Sequence, residues 1–178
     1  KNAFYHCYIK SLTLPAYFNK FDNEWIQNTL NLTNIDYSPE NKYLNKVNKT
    51  FLLFKTNQLS NDYDSLIFAP RNISGEIEIP SSVKKIGPFA FNLCYRMTSL
   101  SFPKASLIQE IDLYAFYKCY FLKSVSSIPA KCSKIGRWCF AYSSNLSGVE
   151  FLGDRVTLCD GCFSRCSSLV CVSFPNAF

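Results

Sequence analysis

Nine cysteines and a single histidine are the residues of this chain whose types could carry chemistry. Cys159 and Cys162 form a C-x-x-C pair with Cys166 close behind. Two thiolates at that spacing are a common opening of a zinc site. Cysteines elsewhere offer disulfides in an oxidising compartment. His6 stands beside Cys7, but no Asp or Glu accompanies it at useful spacing. A surface turn residue is therefore the better reading of His6 than half of a catalytic dyad. No phosphate loop, nucleophile elbow or paired-carboxylate motif occurs. The sequence thus names no catalytic residue, no cofactor site and no metal-ligand set. Asn-x-Ser/Thr triplets at Asn31, Asn48, Asn72 and Asn145 permit glycosylation if the chain is secreted, and decide nothing alone.

The cysteines fall on a repeat. A small residue followed by Phe recurs at Ala90-Phe91, Ala115-Phe116, Cys139-Phe140 and Cys162-Phe163, with Phe spacings of 25, 24 and 23 residues. Five residues before each Phe stands Ile86, Ile111, Ile135 or Leu158, and three after it Cys94, Cys119, Ser143 or Cys166. Further apolar positions follow at Met97, Leu122, Leu146 and Leu169, then at Leu100, Val125, Val149 and Val172. Most units end in an apolar residue plus proline, as in Phe102-Pro103, Ile128-Pro129 and Phe174-Pro175. The pattern extends backwards through Trp25-Ile26, Thr29, Leu32 and Ile35, and through Ala3-Phe4 and Cys7, so that six units are readable. Cys94, Cys119, Cys166 and Cys7 share one offset, and Cys139 and Cys162 share another. Buried thiols that pack as small hydrophobes and donate to turn backbone are the simplest account. A disulfide and a zinc site stay as alternatives, because Cys139 and Cys162 on adjacent rungs would lie within bridging range.

A period of this length belongs to solenoids, in which each unit has an apolar face that only a neighbour can bury. Ile77-Glu78-Ile79, Leu100-Ser101-Phe102, Val149-Glu150-Phe151 and Val172-Ser173-Phe174 alternate apolar and polar, which predicts half-buried strands in a parallel ladder. Proline then ends the strand. Val83–Gly87 and Cys132–Gly136 return along the opposite side, and a short turn wedges each Phe inward. The expected class is mainly β: a solenoid of short strands, turns or 3-10 segments, with little α-helix.

The run Ile79-Pro80-Ser81-Ser82-Val83-Lys84-Lys85-Ile86-Gly87-Pro88-Phe89-Ala90-Phe91-Asn92-Leu93-Cys94 resembles BspA-like leucine-rich repeats, found in surface proteins of parasitic protists and some bacteria. The resemblance covers nearly the whole chain. It implies a non-enzymatic scaffold at the cell surface, adhering to host cells, matrix proteins or other microbes. Departures are Trp25-Ile26 for Ala-Phe, Ser143 for Cys, and Leu152 where a proline is expected.

Between Tyr37 and Ile73 the repeat stops. Tyr43-Leu44, Phe51–Phe54 and Ser65–Phe68 read as short strands of a β-hairpin excursion. Such an insert either packs as a decoration on the ridge or presents a loop on a binding face. The expected organisation is a first block over 1–37, the insertion over 38–72 and a second block over 73–178. Lys1-Asn2-Ala3-Phe4 reads as the interior of a repeat and Asn176-Ala177-Phe178 as breaking off inside another, so the expectation is a fragment of a longer array.

The composition is globular, with 48% hydrophobic residues, and the net charge of +6 is spread without blocks of one sign. That argues against a nucleic-acid footprint. No run of 18 apolar residues exists to span a membrane. Register places Ser11, Thr13, Asn34, Asp36, Glu76, Glu78, Ser99, Ser101, Ser124, Ser126, Glu150 and Ser173 outward on the strand face. This face is hydroxylic and locally acidic, whereas Lys84, Lys85, Arg96, Lys134, Arg137, Arg155 and Arg165 fall on returns and turns. Segregation of that kind would steer a basic protein partner to the strands; the alternative is that the strand-face Ser and Thr only keep an exposed sheet soluble. Within this face, Asn34, Asp36, Glu76, Glu78, Ser99, Ser101, Ser124, Ser126, Glu150 and Ser173 are the candidate binding residues. The alternative function is an intracellular structural or assembly component, associated with the cytoskeleton, which abundant unpaired cysteines would suit.

Overall fold

Apolar alternation lasts only two to six residues before a proline or turn cuts it, so every strand is short and the chain coils. The computed structural model describes residues 3–22 and 24–175. The readings of Lys1-Asn2 and Asn176–Phe178 lie outside the described residues. Seven front strands mark the coils: β1 (Ser11–Leu14), β2 (Asn34–Tyr37), β6 (Ser74–Glu78), β8 (Arg96–Ser101), β10 (Ser124–Val125), β12 (Gly148–Glu150) and β14 (Cys171–Ser173). They form parallel ladders β1-β2, β6-β8-β10 and β12-β14, the last two linked by a bridge from Ile128 to Phe151. On the opposite side β5 (Ser65–Phe68), β7 (Lys85–Ile86), β9 (Glu110–Ile111), β11 (Lys134–Ile135) and β13 (Thr157–Leu158) return in parallel. No α-helix occurs among the described residues.

The turn that carries each Phe adopts left-handed backbone two residues before it and two after. Phe89 and Leu93, Tyr114 and Lys118, Trp138 and Tyr142, and Gly161 and Arg165 all have positive φ. That conformation is costly for non-glycine residues, about 1–2 kcal/mol each. It is held because it aims backbone N–H groups along the solenoid axis. Phe89, Phe91 and Leu93 donate to the carbonyls of Leu113, Ala115 and Tyr117 in the next coil, at 3.0, 2.8 and 2.9 Å. The same bonds recur from Tyr114, Phe116 and Lys118 to Arg137, Cys139 and Ala141. Buried turn backbone thus finds its partners without a helix.

Inside, the predicted column of rings is present. Phe91, Phe116, Phe140 and Phe163 stack with centroids 4.8, 5.1 and 5.6 Å apart and planes within 20°. The first three are fully buried. Beside the column runs a rung of donors. Cys119, Ser143 and Cys166 donate to the carbonyls of Phe91, Phe116 and Phe140 at 3.3, 3.2 and 3.1 Å. Ser143 therefore does the same work as the cysteines it replaces. All nine cysteines are thiols in the structure, and most are buried.

Burial pushes the thiols of Cys94, Cys132 and Cys166 up to about 11, and those of Cys119 and Cys139 well above the ordinary value of 9.0. A raised folded-state value means that the neutral thiol favours the fold. Its contribution is complete below pH 9 and disappears as pH rises through about 11. For a fully buried thiol such as Cys94 the loss is about 1.4 kcal/mol per pH unit. Urea unfolding across this alkaline window should show falling stability, and replacing Cys94 by alanine should flatten the slope.

The interrupting segment is neither ridge decoration nor a loop on one face. β3 (Leu44–Val47) and β4 (Phe51–Phe54) pair antiparallel, β4 pairs antiparallel with β5, and β5 pairs in parallel with β7. The return sheet therefore runs β13-β11-β9-β7-β5-β4-β3. Its last strands separate two apolar cores. Phe51, Leu53, Leu66 and Ala69 face the core of the ring column, whereas Leu44, Leu52, Ile67 and Phe68 face a second core with Trp25, Ile26, Leu32 and Ile35. Burial on both faces explains the unbroken apolar runs Phe51–Phe54 and Leu66–Phe68. Leu66 pairs with Ile86, so Ala69 enters a further coil that the offset pattern misses for want of its Phe. Phe51 caps the column instead, 5.8 Å from Phe91. Arg71 follows, 1% exposed, donating to the carbonyls of Ala69, Phe89 and Ala90.

Candidate functional site

Parallel pairing, with one register shift between Gly75 and Glu76 in the β6-β8 ladder, sets polar residues side by side on the front face. Ser11 lies against Asn34 and Thr13 against Asp36. Glu76 neighbours Ser99, which neighbours Ser124, and Glu78 neighbours Ser101. Glu150 lies against Ser173. Asp36, Glu76, Glu78, Ser124 and Ser126 are exposed, and Asn34, Ser99, Ser101, Glu150 and Ser173 are half-exposed. The candidate residues are thus all at the surface, but on three separate ladders rather than one sheet.

Several are already engaged. Lys46 of β3 donates to both Asn34 and Asp36 at 2.8 Å, and Asn34 donates to the second Asp36 oxygen. The bonds from Lys46 and Asn34 hold the Asp36 carboxyl below the usual carboxylate range. Ser127 donates to Glu150. Ser126 accepts from the Phe102 amide, and Ser101 donates to the Ile77 carbonyl. Glu76 and Glu78 enter no ion pair among the described residues. The free carboxylates of the face therefore centre on β6.

The opposite side is less basic than the sequence suggests. Lys85 pairs with Glu110 and Asp112 at 3.0 and 2.7 Å, and Lys134 with Glu110 at 2.6 Å. Lys84 meets Asp62 and Asp64, and Arg137 meets Asp160. Burial opposes ionisation of Glu110, but hydrogen bonds from Lys134 and Lys85 outweigh it and hold its carboxyl low. Arg96, expected on a turn, is the first residue of β8 and pairs with Ser74 at the entrance to the front face. Lys46 was not legible as part of the face, because only the fold of the insertion brings it there. Among the described residues, no group of three or more His, Cys, Asp or Glu side chains could hold a metal ion. No helix is long and apolar enough to cross a membrane.

Stacked parallel coils with an inward Phe column and a strand face of registered polar residues define a leucine-rich-repeat solenoid. The chain belongs to the BspA type leucine rich repeat region family, whose model matches residues 1–61 and 64–178 in six copies. In structure it is similar to a leucine-rich repeat protein from Eubacterium ventriosum, with a TM-score of 0.77 and 22% identity over 93% of this chain and 42% of that one. It is also similar to the pneumococcal vaccine antigen PcpA (TM-score 0.69, 16% identity, 92% of this chain and 44% of that one). A leucine rich cell surface protein from Faecalibacterium prausnitzii gives a TM-score of 0.67 and 19% identity over 95% of this chain and 48% of that one. The chain spans less than half the length of each of these three. No curated protein matches the sequence.

Proposed function

We propose that the chain is a non-enzymatic, protein-binding scaffold used in adhesion at a cell surface. The observation that carries this reading is the front face around β6. Glu76 and Glu78 stand exposed and without an ion pair among the described residues, flanked in register by Ser99, Ser101 and Ser124. Small hydroxyls and free carboxylates leave room for a partner's long basic side chains, and repeat solenoids bind through such extended surfaces. The partner is accordingly a protein with a basic patch. Two of the similar structures support the location, one being a cell surface protein and the other a vaccine antigen.

The double substitution Glu76→Lys and Glu78→Lys should weaken capture of such a partner at least tenfold and slow its association, since charge acts first on encounter. Asp36→Lys, at a carboxylate already held by Lys46, should do much less. Surface plasmon resonance against the partner recovered by pull-down with the intact protein measures both. Equal binding by the wild type and the double variant would overturn the β6 site. Antibody labelling of intact cells tests the location, and staining confined to permeabilised cells would favour an intracellular assembly role.

A further inference from the structure

A cleft of about 240 Å³ opens where the front ladder divides between β2 and β6. It is lined by Lys10, Arg71 and Arg96, with Thr33, Asn72 and Tyr95 among its other walls, and no carboxylate lines it. Lys10 and Arg96 are exposed, and neither enters an ion pair among the described residues. Arg71 is the unusual member. It is 1% exposed, it faces carbonyls rather than a carboxylate, and its Nε is the buried side-chain polar atom left without a hydrogen-bond partner among the described residues. A buried charge normally needs a counter-charge as well as hydrogen bonds. Three positive charges at one cleft, one of them inside the protein with carbonyls and the Phe68 ring as its partners and no carboxylate, create a local potential that selects anions.

We infer that this cleft binds an oxyanion, a sulfate or phosphate monoester group, through Lys10 and Arg96 at its mouth and the field of buried Arg71 behind them. A neutral donor suits such a ligand: the Asn72 amide can donate to its oxygens, whereas the Thr33 hydroxyl is held by the Lys10 carbonyl at 3.2 Å. Tyr95, 37% exposed, presents a ring edge or face to whatever carries the group. The cleft admits one such group and its neighbourhood, not an extended polyanion. This inference does not depend on the acidic site of β6.

The test is calorimetric titration of the intact chain with sodium sulfate and with a sulfated disaccharide, at constant ionic strength set by chloride. Saturable binding of at least one probe is expected, weakened tenfold or more in the Lys10→Glu, Arg96→Glu double variant. The Lys104→Glu, Lys131→Glu variant, which alters exposed lysines elsewhere, should bind as the wild type does. Tighter binding of the disaccharide than of sulfate assigns the site to a sulfated glycan, and equal binding assigns it to free oxyanions. No saturable binding of either probe, or equal binding by the two variants, would overturn the assignment.

Discussion

Gly136→Ala should be among the most destabilising single substitutions in this chain, lowering stability by about 3 kcal/mol. A methyl group at this position would lie 2.4 Å from both the Asp112 carbonyl carbon and the Leu113 nitrogen, and 2.9 Å from the Asp112 oxygen. These are backbone atoms of the preceding coil, so no side chain can swing aside. Relief requires β11 to move away from β9, which stretches the 2.7 Å bond from the Gly136 amide to the Ile111 carbonyl. The same movement pulls Lys134 from Glu110. For a chain of this length the midpoint of thermal unfolding should drop by roughly 6–12 °C. Gly87 has the same place in its own coil, but a methyl there meets only the Leu66 oxygen at 3.2 Å as its closest neighbour. Gly87→Ala should therefore cost less than half as much. Calorimetry of the two variants decides the matter: equal shifts would mean that the coils at Asp112 and Gly136 have room the structure denies them.

What was legible in the sequence was whatever repeats along one dimension. The Phe offset, the donor at Cys119, Ser143 and Cys166, and the front and return strands all recur with the coil, so each position is read several times over. The runs Phe51–Phe54 and Ser65–Phe68 were also legible as strands, because their apolar continuity is local. What bounds them was not, since nothing local says that two separate cores lie on their faces. The coil of Ala69 was missed for the same reason: its ring comes from Phe51, supplied by a different strand. Left-handed backbone at Phe89, Tyr114 and Trp138 also runs against the preference of bulky residues. It is imposed by bonds to the next coil, and stacking of the Phe89, Tyr114 and Trp138 rings accompanies it. On the candidate face, the outward residues followed from alternation, but their state of charge did not. Asp36 is neutralised by Lys46 only because the wall strand β3 comes beside β2.

The second large effect is expected at Phe116. Its ring lies between Phe91 at 4.8 Å and Phe140 at 5.1 Å and has no exposed surface. Phe116→Ala removes the ring from between two rigid neighbours, each fixed by its own coil's hydrogen bonds, so the space closes poorly. Large-to-small changes at such sites cost about 3–5 kcal/mol. The stacking lost with both neighbours adds to the transfer cost, about 0.5–1.5 kcal/mol for each ring pair. In a solenoid the consequence is more than a lower total, because stability there is a sum of coil terms and interface terms between adjacent coils. Phe116 belongs to both interfaces of its coil. Its loss should let the coils on either side of Phe116 unfold at different urea concentrations, broadening the transition. Hydrogen exchange should show β9 and β11 losing protection first, while β1 and β2, which belong to the other core, stay protected. Phe163→Ala, at a half-buried ring with one stacked neighbour among the described residues, should lower stability far less and keep a single transition. A Phe116→Ala variant that unfolds in one sharp step, at a midpoint no lower than that of Phe163→Ala, would mean that the ring column does not couple the coils.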